Sequence, residues 1–420
     1  MPDILIQHFP NAAYVLLLLS VLSLIAVYLL RWHYYALAGK YADWQAEAQD
    51  VEMATHVALY NQKDADVPVY PNISVVVTTR NQEAQLELLL LKLLQQEYAG
   101  SYEVIVADQK SRDDTQDVVK RLQERFSNLR HTYVPQTSRF IELRKLALTL
   151  GIKASYSEWI IVVNPETVPV TNQWLQHFSE NLLPDIDFVE AYCNYEDDGS
   201  GVARRSILER VRFFCRRLYA FEKGCVLGCE TANFAVRKSW FMKHKGFIDS
   251  LCLPFGEESI FAYYHAEADR TAILCAPDTK LIEELPASAE MRERRICEAE
   301  VFRMLNGAAR KYSRRESMAS VFLYLALMTN MSYGIVRVWH DLEYGVYSLP
   351  LVYTDVLSLL CWMLMFVLPA VLLKRSTDAL DETPFGIFVL LHELCQPWRN
   401  MSVEIGRRLR CTDFKRNYLG

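Results

Sequence analysis

Three stretches gather side chains able to do chemistry. The first is "WIIVVNPETVPV", residues 159–170, in which a β-branched run from Ile160 to Val163 breaks at Asn164-Pro165 and Glu166 follows. Such a run, bounded by a polar and proline-marked turn, reads as a buried strand with side chains presented at its C-terminal end. In open α/β sheets that edge is where ligands bind. Asn164 offers a neutral oxygen and Glu166 a carboxylate. Three readings stay open: a metal site with altered ligands, a dead one, or only a loop. The second stretch is "LPFGEESIFAYYHAEA", which sets Glu257 and Glu258 after Gly256 at a loop-to-helix junction. Paired carboxylates at a helix N-terminus feel its positive dipole and each other's charge, so one could act as a base while the other caps the helix. On residue types alone, capping is the simpler reading.

The third stretch, "ARRSILERVRFFCRRLYAFE" (203–222), interleaves Arg204, Arg205, Arg210, Arg212, Arg216 and Arg217 with large apolar residues. A basic amphipathic helix of this kind fits a membrane interface. It would also suit docking of a phosphate-bearing acceptor, and the plain alternative is a solvated face.

The elements around these stretches alternate. "NISVVVTTRNQ" (72–82) and "YEVIVADQKSRDDT" (102–115) are apolar strands that run into polar ends. Helical patterns follow each, in "EAQLELLLLKLLQQE" and "TQDVVKRLQERF". "LRHTYVP" is a short strand, "RFIELRKLALTLGIKAS" a helix, and "EWIIVVNPE" the next strand; beyond Pro169, "VTNQWLQHFSENL" reads as helix and "DFVEAYCNY" as one strand. This order predicts an α/β fold, a mostly parallel central sheet with helices on both faces. Neither a dinucleotide fingerprint nor a P-loop is present.

Apolar residues make up 51% of the 420, and the excess is localised. Residues 12–30 carry no charge and approach the ~20 residues of a membrane-spanning helix. Arg31, Trp32, Tyr34 and Tyr35 follow as a positive flank and aromatic belt, which predicts a retained anchor with its N-terminus outside. Two further candidates are 318–339, interrupted by Thr329, Asn330, Ser332 and Arg337, and the stronger 349–373. The weaker one also reads as a buried helix. Lys and Arg flank the outer ends of this pair, with the acidic "HDLEYG" between them, so both outer ends face the cytosol. The predicted layout is an anchor at 1–35, a juxtamembrane helix and linker at 36–70, a cytosolic domain at 71–300, membrane segments within 301–375, and a basic tail at 376–420. The tail fits anionic lipid headgroups or plain solvent equally.

A formal net charge of −6 argues against nucleic acid as a partner. The ten cysteines lack zinc-ligand spacing, even at Cys225 and Cys229, and read as reduced core thiols.

In order and spacing, "ISVVVTTRNQ", "EVIVADQKSRDDT", "RKLALTLGIKAS", "NPETVP", "TANFAVRKSWF…KGF" and "GEES" resemble family-2 glycosyltransferases of the GT-A fold, in their membrane-anchored bacterial form. The resemblance implies an inverting hexosyl-type transfer from a nucleoside-diphosphate sugar, with a UDP-sugar as the expected donor. The acceptor would be a lipid-linked or cell-envelope glycan, met at the cytosolic face of the bacterial inner membrane. Asp108 and Gln109 fall on the family's base-and-ribose pair, with an amide in the second place. Thr78, Arg80 and Asn81 close the first strand on the same edge, and Lys145 matches a basic residue near the diphosphate. Asn164-Pro165-Glu166 falls on the metal motif, which implies Mg²⁺ or Mn²⁺ held weakly by Glu166 with Asn164. Glu258 falls on the base that deprotonates the acceptor, with Glu257 as its neighbour and second candidate, which reverses the capping reading. No Q-x-x-R-W motif accompanies "EMRERRICEAE", so a long-polymer synthase is not expected. The departures at Gln109, Asn164 and Glu258 leave a second class open, a degenerate transferase with a binding or scaffolding role.

Overall fold

The computed structural model describes residues 12–60, 70–134, 143–250, 255–305, 307–344, 349–382, 385–386 and 388–418. Its first helix is α1 (Ala12–Tyr60). A regular alternation follows: β1 (Ile73–Thr79), α2 (Glu83–Leu93), β2 (Tyr102–Asp108), α3 (Thr115–Gln123), β3 (Leu129–Tyr133), α4 (Leu143–Ala154) and β4 (Trp159–Val163). Next come β5 (Thr167–Pro169), α5 (Trp174–Ser179), β6 (Phe188–Ala191), β7 (Cys193–Tyr195), α6 (Gly201–Glu222), β8 (Phe234–Arg237) and α7 (Lys238–Lys243). The rest is α8 (Glu257–His265), β9 (Thr271–Leu274), β10 (Leu281–Glu283), α9 (Ser288–Met304), α10 (Ala308–Tyr344), α11 (Leu349–Ala379) and α12 (Phe388–Tyr418).

The strands form one sheet ordered β3-β2-β1-β4-β8-β6-β9 and a small one ordered β5-β10-β7. In the large sheet β3, β2, β1 and β4 are parallel, and only β8 runs against its neighbours β4 and β6. The α/β fold with a mostly parallel central sheet is therefore present. β1 and β4 are buried at every residue, as unbroken apolar strands are when helices cover both faces.

Period-2 alternation sorts their side chains. Val75, Val77 and Ile161 pack with Leu86, Leu89, Leu90 and Leu93 of α2 and with Val118, Val119 and Leu122 of α3. Val76, Ile160 and Val162 turn the other way, onto Leu148 and Ile152 of α4 and Phe261 of α8. Each such buried aliphatic contributes about 1.5–3 kcal/mol. The second face is tight: a Cβ on Gly151 would lie 2.6 Å from Val76 Cγ1. Gly151→Ala is expected to lower stability by about 1–3 kcal/mol, read as a reduced unfolding midpoint of the full chain.

Thr79 pairs with Asp108 and Asp108 with Tyr133, so β1, β2 and β3 end together, and β4 ends at Val163 opposite Val77 on the same edge. Two expectations need correction. The strand expected across 187–195 is two strands in different sheets, broken at Tyr192, which is fully buried and donates its hydroxyl to Glu382 Oε1 at 2.8 Å. The helix expected after Pro169 is only the six residues of α5.

The chain divides into two compact units, one of residues 37–305 with 377–383 and the other of the remainder. Among the described residues one helix segment, Tyr14–Asp43, is long and apolar enough to cross a membrane. The expected segments 318–339 and 349–373 lie inside α10 and α11. In α10 Thr329 and Ser332 donate to carbonyls one turn back, and the buried Asn330 approaches Ser20 Oγ at 3.5 Å. In the tail helix α12, Arg407 and Arg408 both pair with Glu404. Lys415 and Arg416 lie outside the described side chains. Cys193 and Cys229 are buried thiols whose pKa values burial pushes up.

Candidate active site

The C-terminal ends of β1, β2 and β4 border a cavity of about 510 Å³. Thr78, Arg80, Gln109, Asn164, Glu166 and Glu257 line it, as does Arg144. Asn81 and Asp108 serve the edge differently. Asn81 takes a positive φ of 53° and its Oδ1 accepts from Arg112 N at 2.8 Å. Asp108 accepts from Ser111 N at 2.9 Å and from Gln116 Nε2 at 3.2 Å. Both hold the 109–114 loop in place.

Lys145 is the clearest displacement. Its side chain is fully buried and Nζ donates to Ser250 O at 2.6 Å, away from the cavity lining. Arg144, one residue earlier on α4, faces the cavity instead. Its Nη2 donates to Asn164 Oδ1 at 3.3 Å and to Thr231 O at 3.4 Å, and its Nη1 meets Glu257 Oε1 at 2.5 Å and Glu258 Oε1. The Glu257 and Glu258 side chains are 2% and 0% exposed. Burial pushes the Glu258 carboxyl up to about 7, against the pull of Arg144, while Glu257 pushes in the same direction as burial. Glu257 borders the cavity, whereas Glu258 is not among the lining residues and contacts Arg144.

Gly256 makes this placement possible. Its φ of 78° starts α8, and a Cβ there would lie 2.3 Å from Val301 Cγ2. Gly256 holds the N-cap position and has no side chain, so neither carboxylate is the cap of this helix. Gly256→Ala is expected to cost about 1–3 kcal/mol through backbone strain, seen as a lowered unfolding midpoint.

Half of the α6 arginines face inward, which corrects the membrane-interface and solvated-face readings for Arg210, Arg212 and Arg217. None of the six is exposed, and Arg210, Arg212 and Arg217 are buried. Arg210 pairs with Glu283 of β10 at 2.7 Å and Glu230 at 3.6 Å, and donates to Tyr195 Oη at 3.0 Å. Arg217 pairs with Glu190 of β6 at 2.8 Å and Glu230 at 2.7 Å. Burial raises the Glu190 carboxyl to about 7 even beside Arg217. From α9, Arg294 meets Glu283 and approaches Glu166 Oε1 at 3.9 Å. Arg210, Arg217 and Arg294 all reach the cavity. Sequence reading missed Arg144, Arg294 and the carboxylates Glu230 and Glu283, because each contact joins separate elements, from 11 residues apart for Arg294 and Glu283 to 113 for Arg144 and Glu257.

Asn164 and Glu166 differ in what they leave for a cation. Asn164 Nδ2 donates to Thr231 Oγ1 at 3.1 Å and its oxygen already accepts from Arg144. Glu166 Oε1 accepts from Gln82 Nε2 at 2.5 Å, and the carboxylate is 25% exposed. Burial, then the charge of Glu283, raises its pKa above the usual carboxylate value. Among the described residues no group of three or more His, Cys, Asp or Glu is arranged to hold a metal. The donor set therefore fits a hard cation that arrives on phosphates and takes one carboxylate, Glu166, as such cations commonly do.

No curated protein sequence matches the chain. Among solved structures it is similar to a mannosyltransferase from Pyrobaculum calidifontis in complex with GDP-Man and Mn²⁺, at 17% identity, TM-score 0.47, covering 86% of this chain and 99% of that one. It is also similar to S. aureus TarS 1–349 in complex with UDP, at 16% identity, TM-score 0.37, covering 77% and 91%. A third is glucosyl-3-phosphoglycerate synthase from Mycobacterium tuberculosis with Mn²⁺, UDP and phosphoglyceric acid, at 18% identity, TM-score 0.35, covering 55% and 78%. Residues 74–245 match the profile of the family described as Glycosyl transferase family 2, a stretch that runs from β1 past α7 and holds Thr78, Gln109, Arg144, Asn164 and Glu166 but not the Glu257–Glu258 pair.

Proposed function

We propose that the chain is an inverting glycosyltransferase of family 2. It moves a hexosyl group from a nucleoside-diphosphate sugar, with UDP-sugars the first candidates, to a lipid-linked or cell-envelope glycan acceptor. The observation that carries this reading is one cavity bordered both by the C-terminal strand edge and by Glu257, with Arg144 joining that edge to the buried Glu258. The family match of residues 74–245 supports it. Thr78, Arg80 and Gln109 border the nucleotide, Asn164 orients Arg144, and Asn81 and Asp108 shape the loop beneath. Lys145 holds the 250 region through its carbonyl contact.

In the reaction the acceptor oxygen bonds to the anomeric carbon as the bond from that carbon to the diphosphate oxygen breaks. The acceptor proton passes to Glu258, with Glu257 as its partner. A divalent cation, when bound, offsets charge on the leaving diphosphate, and Glu166 is the residue that would hold it. The α1 segment Tyr14–Asp43 and the Lys and Arg flanks of 318–339 and 349–373 support a multi-pass protein of the bacterial cytoplasmic membrane. In that arrangement residues 71–300 form the cytosolic catalytic domain and the 376–420 tail meets anionic lipid. A second reading, binding without catalysis, draws on the closure of Glu258 behind Arg144.

Equilibrium binding of a nucleoside-diphosphate panel to the full chain in detergent tests the donor reading. One nucleotide is expected to bind, more tightly with Mn²⁺ than with chelator, and Glu166→Ala is expected to abolish that Mn²⁺ effect. Absence of binding by every nucleotide would sink the reading.

A further inference from the structure

We propose that Arg144 is a donor-responsive positioning residue: the donor's diphosphate and the Glu257–Glu258 pair compete for its one guanidinium, so donor binding uncovers Glu258. The proposal rests on the nucleotide-sugar reading of this cavity. Arg144 is the side chain that joins the two halves of the site. Its Nη1 is committed to the carboxylate pair, whereas its Nη2 reaches the donor edge only through long contacts of 3.3 and 3.4 Å to neutral oxygens. A phosphate at that edge would replace these with charge-assisted bonds, which are shorter and about twice as strong.

The carboxylate side is equally unbalanced. Two buried carboxylates face one guanidinium, and neither Glu258 oxygen nor Glu257 Oε2 accepts a well-formed hydrogen bond. The buried Cys229 also neighbours Glu258, and burial keeps its thiol protonated. Arg144 thus opposes the upward push of burial and of Glu257 on Glu258 and screens Glu258 from the cavity at the same time. A carboxylate held this way is a poor proton acceptor. Moving the guanidinium toward a diphosphate opens the path to Glu258. Proton acceptance then follows donor binding.

Competition for one group makes a reciprocal prediction about affinity. Titration calorimetry of UDP and GDP is run on the full chain in detergent, with Mn²⁺ and again with chelator, for the wild type, E257Q, E258Q, R144Q and the double variants. E257Q and E258Q release part of the hold on Arg144 and are expected to tighten nucleotide binding by about fivefold or more. R144Q is expected to weaken binding, and on that background either glutamine change moves affinity by less than about twofold. Equal tightening on both backgrounds overturns the proposal, since simple charge repulsion would then account for it. Unchanged or weaker binding in E257Q and E258Q overturns it too. If R144Q does not fold, the cycle uses R144K, whose single ammonium cannot span both partners, and undiminished tightening on that background overturns the proposal in the same way. A wild type that binds nucleotide without this coupling loses the Arg144 proposal alone. A wild type that binds no nucleotide loses the donor reading and the proposal together.

Discussion

Glu258→Gln is expected to lower the sugar-transfer rate by about 10²–10⁴-fold, the span that general bases contribute, without loss of nucleotide affinity. The carboxamide keeps the shape of the side chain but cannot accept the acceptor's proton. The effect is expected on kcat, because the proposed role of Glu258 is to take the acceptor's proton as the reaction proceeds. The pH profile should carry the same signature. Burial places the Glu258 carboxyl at about 7, and only its deprotonated form accepts a proton. Log kcat/KM is therefore expected to rise with pH up to about 7 and level off above it, with the rising limb flattened in Glu258→Gln. An acid limb unchanged in that variant would show that another group takes the proton.

Arg210→Met is expected to destabilise the chain by about 3 kcal/mol, at the low end of the 3–5 kcal/mol that follows removal of one partner from a buried ion pair. Arg210 is 8% exposed and serves Glu283, Glu230 and Tyr195 together. Its loss leaves two buried carboxylates, but Arg294 still meets Glu283 and Arg217 still meets Glu230, which limits the cost. Arg408→Met is the control. Arg408 is 74% exposed beside Glu404, and exposed pairs of this kind contribute no more than about 1 kcal/mol. Chemical denaturation of both variants should separate them clearly. Equal midpoints would mean that the α6 arginines contribute nothing to stability.

The contrast between these two arginines shows where sequence reading worked and where it stopped. Strand runs such as Ile73–Thr79 and Trp159–Val163 declare themselves, because a parallel strand buried on both faces has no polar alternation to blur it. The edge they share was also legible, and Thr78, Gln109, Asn164 and Glu166 do border one cavity. Helix phase was not. Lys145 and Arg144 differ by about 100° around the helix axis, and nothing local in "ELRKLAL" says which basic residue faces the cavity. The structure turns Lys145 to Ser250 and Arg144 to the carboxylates. The α6 helix failed for a different reason. Its arginines alternate with apolar residues as an interfacial helix would, but their counter-charges at Glu190, Glu230 and Glu283 come from separate elements. A pattern within one helix holds no record of partners supplied by β6, β10 and the 230 loop.

Turnover tests the central claim most directly. Nucleoside diphosphate release would be measured from a panel of sugar nucleotides, using membranes that contain the full chain and candidate lipid-linked acceptors, with Mn²⁺ and with chelator. Release from one donor by the wild type, falling by about 10²–10⁴-fold in Glu258→Gln while that variant still binds the nucleotide, is the result expected. Nucleotide binding with no release from any donor and acceptor would contradict it and leave the cavity a binding site alone.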